Sequence, residues 1–416
     1  MKKNESNLNS IITSSFYLLI VQGWGYLIPF LIIPLLISRL EMGGFGVIAL
    51  LLSIVAIFKV AVSYGFDKTA VIDISSNRDN NVRLSQIFSE VLTTRICLIL
   101  LSFPIYLLII LLMPVTREHI FVSLLMYLVV AAEGIIPQWY YQGIGDLRSL
   151  SISRVLQKTT YGTIIYFWVL SPNDLYLIPI IDGLTLVILS LVFLIKPIYR
   201  NEIKLTRVTR KGISIQLKRS FDVFISNVFS IIQISTNTIV LGYVCGNDIV
   251  GMYAIAEKIY TAIRGLFIPI TQAILPRAAK AYYKDKMEYN RIIISSTISY
   301  ILLSIIGVLF ITIYGDSIIS VVSKNEDYNN KINDILSLMS IAMLTSVIGI
   351  SSMKLIVEEK RLEIIKISVS ATLINLIIIY PLVNHYQYTG AVLCFIFTQI
   401  YILLAQVFAS RKKNDR

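Results

Sequence analysis

Apolar stretches long enough to cross a bilayer follow one another along almost the whole chain, separated by short polar breaks. In the first half they cover residues 11–38, 44–66, 86–113, 119–141, 151–170 and 174–196. The second half repeats the pattern at 214–243, 249–275, 291–314, 333–357, 362–384 and 388–410. A hydrocarbon layer about 30 Å thick takes roughly 20 helical residues. The pattern therefore predicts an all-α membrane protein of about 12 transmembrane helices. The first run follows Lys2 and Lys3 in the manner of a signal peptide, yet it far exceeds an h-region of about 7–15 residues and has no small-residue cleavage site. It is expected to stay as the first span.

Composition agrees with this. Of 416 residues, 56% are hydrophobic and only 15% charged, where soluble domains run nearer one quarter charged. The basic residues are unevenly placed. Breaks before odd-numbered spans and after even-numbered ones carry Lys2, Lys3, Lys68, Arg78, Arg83, Arg148, eight residues between Lys196 and Arg219, five between Arg277 and Arg291, Lys360, Arg361 and the tail. With Arg154 and Lys158 at the mouth of the fifth span, that side holds 27 of 37 basic residues. The opposite side holds Arg39, Arg117, Lys324 and Lys331. Short basic loops resist translocation, which predicts cytoplasmic termini in a bacterial inner membrane. The net charge of +12 follows from this bias and from anionic lipid headgroups, without any need for nucleic acid.

The longest basic break lies between two sets of six spans. It divides the chain into an N-terminal lobe (residues 1–196), a cytoplasmic linker (197–213) and a C-terminal lobe with its tail (214–416). Six is even, so both lobes enter the membrane from the same side, as in transporters with parallel repeats and a pseudo-twofold axis along the membrane normal. A short echo fits this: Phe45-Gly46-Val47-Ile48-Ala49 opens the second span and Val250-Gly251-Met252-Tyr253-Ala254 the eighth.

Charged groups within the bilayer cost several kcal/mol unless they face a bundle interior or a water-filled cavity. Arg95 and Arg264 fall near mid-span, one in each half, and are expected to line a central cavity that takes an anionic group; pairing of Arg264 with Glu257 or Glu133 is the alternative. Tyr253, Glu257, Tyr260 and Arg264 share a helix face at spacings of three and four, with Lys258 beside them. Lys59, Lys68, Arg154 and Lys158 lie near the cytoplasmic mouth, where they could receive a phosphate headgroup or snorkel to lipid. Asp222, Ser226, Ser230, Gln233 and Asn237 form a polar stripe on the seventh span, suited to hydroxyl-rich ligands or to interhelical hydrogen bonds. Glu133 and Asp182 are candidates for proton or sodium coupling. The three cysteines, Cys97, Cys245 and Cys394, imply no disulfide framework, and no metal or cofactor motif is present.

Several stretches match a known family. They are Tyr26-Leu27-Ile28-Pro29, Ile33-Pro34-Leu35-Leu36-Ile37, Phe45-Gly46 and Ser63-Tyr64-Gly65-Phe66, then Ser235-Thr236-Asn237-Thr238-Ile239-Val240-Leu241-Gly242, Val250-Gly251-Met252-Tyr253, Ala256-Glu257-Lys258-Ile259 and Pro269-Ile270-Thr271-Gln272-Ala273-Ile274-Leu275-Pro276-Arg277. In these the chain resembles the Wzx-type O-antigen and polysaccharide flippases of the multidrug/oligosaccharidyl-lipid/polysaccharide exporter superfamily. The resemblance implies two six-helix lobes, alternating access and a cation-lined cavity. It also implies a cargo of one oligosaccharide unit on undecaprenyl pyrophosphate, carried from the cytoplasmic to the periplasmic leaflet, with a polysaccharide polymerase and chain-length machinery as further partners. Family members often follow Tyr-Gly-Phe with a run ending in Thr-Arg; here it reads Asp67-Lys68-Thr69-Ala70-Val71, which leaves open whether Lys68 takes that arginine's part. A multidrug antiporter of the same superfamily would prefer acidic and aromatic groups for cationic drugs. A membrane polymerase or ligase would need a larger outer loop than residues 314–332 offer, so no enzyme is expected.

The orientation is directly testable. A reporter active only in the periplasm, fused after Asp248 or Asn325, is expected to give signal, and fused after Lys211 or Lys284 to give none; the reverse pattern inverts the topology.

Overall fold

The computed structural model describes the backbone of residues 2–323 and 325–411, and side chains from Gly23 onward except Tyr26 and Ala273. The orienting charges of Lys2, Lys3, Lys324, Lys412, Lys413 and Arg416 lie outside what is described. Among the described residues the secondary structure is entirely helical, as a bilayer demands of a chain that does not close into a barrel.

In chain order the α-helices are α1 (Lys2–Ser63), α2 (Phe66–Ser76), α3 (Asn81–Leu112), α4 (Pro114–Glu118), α5 (Ile120–Ile135), α6 (Gln138–Ile144), α7 (Leu147–Trp168), α8 (Leu177–Tyr199) and α9 (Arg210–Cys245). They continue as α10 (Asn247–Gly265), α11 (Ile268–Lys284), α12 (Lys286–Val322), α13 (Glu326–Ile341), α14 (Ile348–Val357) and α15 (Arg361–Arg411). Short 3₁₀ turns at Pro172–Tyr176 and Ala342–Val347 join α7 to α8 and α13 to α14.

Nine segments among the described residues are long and apolar enough to span a membrane. Two continuous helices in them carry non-helical backbone, at Glu41 in α1 (φ 61°, ψ 173°) and at Gln387 in α15 (φ 51°, ψ −129°). Beyond the second break the chain folds back: a Cβ on Gly390 would lie 2.1 Å from the carbonyl oxygen of Leu382, two turns away in an unbroken helix. Adding the more polar α7, the architecture is compatible with the twelve expected spans. Several spans are broken helices. α5 gives way to α6 at Ile136–Pro137, and α10 to α11 at Leu266–Phe267.

Polar side chains start the helices where the chain turns. Asn80 accepts from the Arg83 amide at the start of α3, and Asp146 from the Ser149 amide at the start of α7. Asp285 accepts from the amides of Met287 and Glu288 at the start of α12. Each satisfies donors that a helix leaves unpaired at its first turn.

The described chain forms two compact units. One comprises residues 1–41 and 54–228, the other 42–53 and 229–416. Along the chain the units thus interleave rather than meeting at the basic break: α1 leaves the first unit for the second at 42–53 and returns, and α9 begins in the first and ends in the second. The local chemistry explains this. The polar start of α9 is held inside the first unit: Arg219 pairs with Asp73, Gln216 donates to Glu90 (2.9 Å), and Ser220 shares a hydrogen bond with Thr69 (2.6 Å). Phe224 stacks on Tyr64 at 4.1 Å. Nor is the connecting segment free. α8 runs on through Pro197 and α9 starts at Arg210, which leaves residues 200–209 between them. This stretch lies along α3, with the amides of Lys204 and Thr206 donating to Ser85 and Ser89 (3.0 and 2.9 Å).

In the second unit, residues 42–53 are held by backbone approach. A Cβ on Gly46 would stand 1.8 Å from the carbonyl oxygen of Asn247 and 3.1 Å from the Gly251 amide; one on Gly251 would stand 2.8 Å from the Met42 carbonyl oxygen. The two glycines of the sequence echo are therefore reciprocal partners in one helix crossing, the small-residue packing that lets membrane helices approach closely. Gly46→Val and Gly251→Val are expected to lower thermal stability of the detergent-purified protein by about 1–3 kcal/mol. Gly25→Ala, where a Cβ meets nothing within 4 Å, should leave the melting temperature unchanged. Unaltered melting of both valine variants would refute the crossing.

Candidate functional site

The first unit gathers its intramembrane charges around two helix breaks. At the first, Tyr64 (φ 47°) and Gly65 (φ 80°) turn the chain from α1 into α2. Glycine is required at the second position of this turn. A side chain there would be strained, and a Cβ would come within 2.9 Å of Val223. The turn buries Phe66 and delivers Asp67. At the second break, between α5 and α6 at Ile136–Pro137, the Ile136 carbonyl accepts from the Gln138 amide at 2.9 Å.

Arg95, near the middle of α3, joins both breaks. Its guanidinium pairs with Asp67 at 2.6 Å, donates to the Ile136 carbonyl at 3.4 Å and lies 5.9 Å from the Phe66 ring. The side chain is only 3% exposed while that of Asp67 is 36% exposed. Arg95 thus sits behind a carboxylate rather than lining an open cavity in this conformation. The partner was missed in the sequence because Asp67 stands at the head of a short helix, outside the expected spans.

The cations expected at the mouth are brought together. Arg154 on α7 gives Glu133 on α5 two bonds, at 2.7 and 3.0 Å, and a third bond to Gln138 at 2.9 Å. Lys158, one turn along α7, is 3.9 Å from Asp182 on α8 and 5.3 Å from the Tyr161 ring. Gln157 donates to Asp182 (3.3 Å) and to Thr185 (3.1 Å). Lys59 lies within electrostatic reach of Glu133. Lys68 is exposed on α2, apart from these pairs. Glu133 is therefore the partner of Arg154, not of Arg264.

The second unit presents a different face. Arg264 ends α10, a position favoured for a cation by the free carbonyls of a helix C-terminus. It rests 6.0 Å from the Tyr260 ring and makes no ion pair among the described residues. Tyr253 and Tyr260 are buried, Glu257 is half-buried and Lys258 exposed. Gln233 and Asn237 are buried, and Asn237 accepts from the Asn375 amide at 3.1 Å. Asn237 of the polar stripe thus bonds between helices. Asp222, by contrast, is exposed and belongs to the first unit.

The chain was compared with known proteins. The profile of a family described as polysaccharide biosynthesis protein matches residues 11–282. A protein of Escherichia coli (strain K12) named "Putative O-antigen transporter" is 25% identical over 397 residues, covering 95% of each chain. One of the same name from Shigella dysenteriae is 22% identical over 395 residues, covering 93% of this chain and 96% of its own. Among solved structures, the inward-facing conformation of a multidrug resistance MATE family transporter of the MOP superfamily superposes with a TM-score of 0.72 at 14% identity, over 95% of this chain and 92% of that one. At that identity the likeness is one of fold.

Proposed function

We propose that this chain, which belongs to the polysaccharide biosynthesis protein family, flips an oligosaccharide linked to undecaprenyl diphosphate from the cytoplasmic to the periplasmic leaflet of a bacterial inner membrane. Both termini would face the cytoplasm. The observation that carries this reading is the pair of cations on one face of α7, Arg154 and Lys158, held among helices of a membrane-spanning unit by contacts that leave them partly exposed. A planar guanidinium fork and an ammonium one turn apart suit the oxygens of a diphosphate. The O-antigen transporter relatives support a glycan as the rest of the cargo.

The physical task is to take a diphosphate and several sugars past hydrocarbon while the polyprenyl tail stays in lipid. Alternating access meets it: the cations bind the headgroup from one side, and rearrangement of the two units exposes it to the other. Arg264, with no carboxylate on it, is assigned a later contact with the moving headgroup, and Arg95 a supporting part through Asp67 and Ile136. Glu133, Asp182 and Glu257 are the acidic groups available for coupling to a proton or sodium gradient. A multidrug antiporter shares the fold, but its cationic substrates would be repelled by Arg154, Lys158 and Arg264.

Complementation of a strain lacking its glycan flippase separates these roles. Arg154→Ala and Arg264→Ala are expected to abolish surface glycan at unchanged protein level, with Arg264→Lys restoring part of it, since charge is kept and the fork lost. Arg95→Ala should instead reduce the amount of protein in the membrane, because it leaves the Asp67 carboxylate without its counter-charge. Full activity of both the Arg154→Ala and Arg264→Ala variants would remove the reading.

A further inference from the structure

A carrier that binds an anion inside the bilayer has to make the return journey without it. Bare cations in a low-dielectric interior are costly, so something must neutralise them while the site is empty. In the first unit that something is visible. Arg154 holds Glu133 through both carboxylate oxygens, the same two-pronged contact a phosphate makes. Lys158, on the same face of α7, has Asp182 at 3.9 Å.

These pairs are not sealed as a buried structural bridge would be. The side chains of Arg154 and Glu133 are 17% and 23% exposed, and that of Lys158 is 35% exposed. Each carboxylate also has a second polar neighbour: the charge of Lys59 acts on Glu133 from beyond ion-pair distance, and Asp182 already accepts from Gln157. Either could leave its α7 cation without being stranded.

We propose that Glu133 and Asp182 are stand-ins for the cargo: in the empty carrier they occupy Arg154 and Lys158, and loading exchanges carboxylate for phosphate on both cations. This rests on the diphosphate reading above. The exchange keeps the cations neutralised at both stages of the cycle. Glu133 turns to Lys59 and Asp182 to Gln157 while cargo is bound, and both return when it leaves. The carboxylates therefore compete with the ligand, and removing their charge should improve binding.

The test is calorimetric titration of the detergent-purified full chain with inorganic pyrophosphate in magnesium-free buffer. The parent is expected to bind and Arg154→Ala to lose binding. Glu133→Gln and Asp182→Asn should each bind about threefold tighter or more, the loss of one competing charge at partly solvated distance. Asp182→Asn keeps the side-chain volume and can still accept from Gln157. Because its ion pair is also the looser of the two, it decides the matter if Glu133→Gln does not fold. Binding equal to or weaker than the parent's in the folded variants would overturn the exchange while leaving the anion site standing. No binding to the parent itself would overturn both.

Discussion

A bilayer interior offers no water to solvate a charge, and in this protein the buried guanidinium of Arg95 finds its counter-charge in Asp67 and a further acceptor in the Ile136 carbonyl. Much of the first unit depends on that contact. The break at Pro137 places Glu133 at the end of α5 and Gln138 at the start of α6, where both reach Arg154. The Tyr64–Gly65 turn supplies Asp67, which gives the guanidinium its counter-charge. One arginine thus ties together two helix breaks, each unfavourable alone in a bilayer. Around them Phe88, Trp139 and Tyr140 pack edge to face and at a tilt, which fixes α3 against α6.

Much of this was legible in the sequence. The apolar runs located the segments long enough to span, though not the short helices α2 and α4, and Glu41 and Gln387 fall in the short gaps expected between spans. Arg154 and Lys158 were recognisable as a pair because a spacing of four places them on one face. Their partners were not, since Glu133 and Asp182 are brought to them by packing of α8 against both α5 and α7. Asp73 and Glu90 escaped notice for the same reason. Each lies more than 120 residues from the α9 side chain it holds, and hydropathy carries no information about such pairings. The glycine echo was read as a trace of repeat symmetry and is also a contact, which no periodicity could reveal.

The two units divide the chemistry between them. The first concentrates paired charge, with carboxylates on Arg95, Arg154 and Lys158. The second offers Arg264 with an aromatic neighbour and a buried amide network of Asn237 and Asn375. The helices α1 and α9 each pass from one unit into the other along the chain.

Leaflet exchange of the cargo itself tests the central claim most directly. With the purified protein in liposomes containing undecaprenyl-diphosphate-linked oligosaccharide, the fraction of glycan open to an externally added glycosidase is measured over time. The account predicts that the parent brings the inner-leaflet pool within reach of the enzyme and that Arg154→Ala leaves it protected. Protection of the inner pool by the parent as complete as in protein-free liposomes would contradict it.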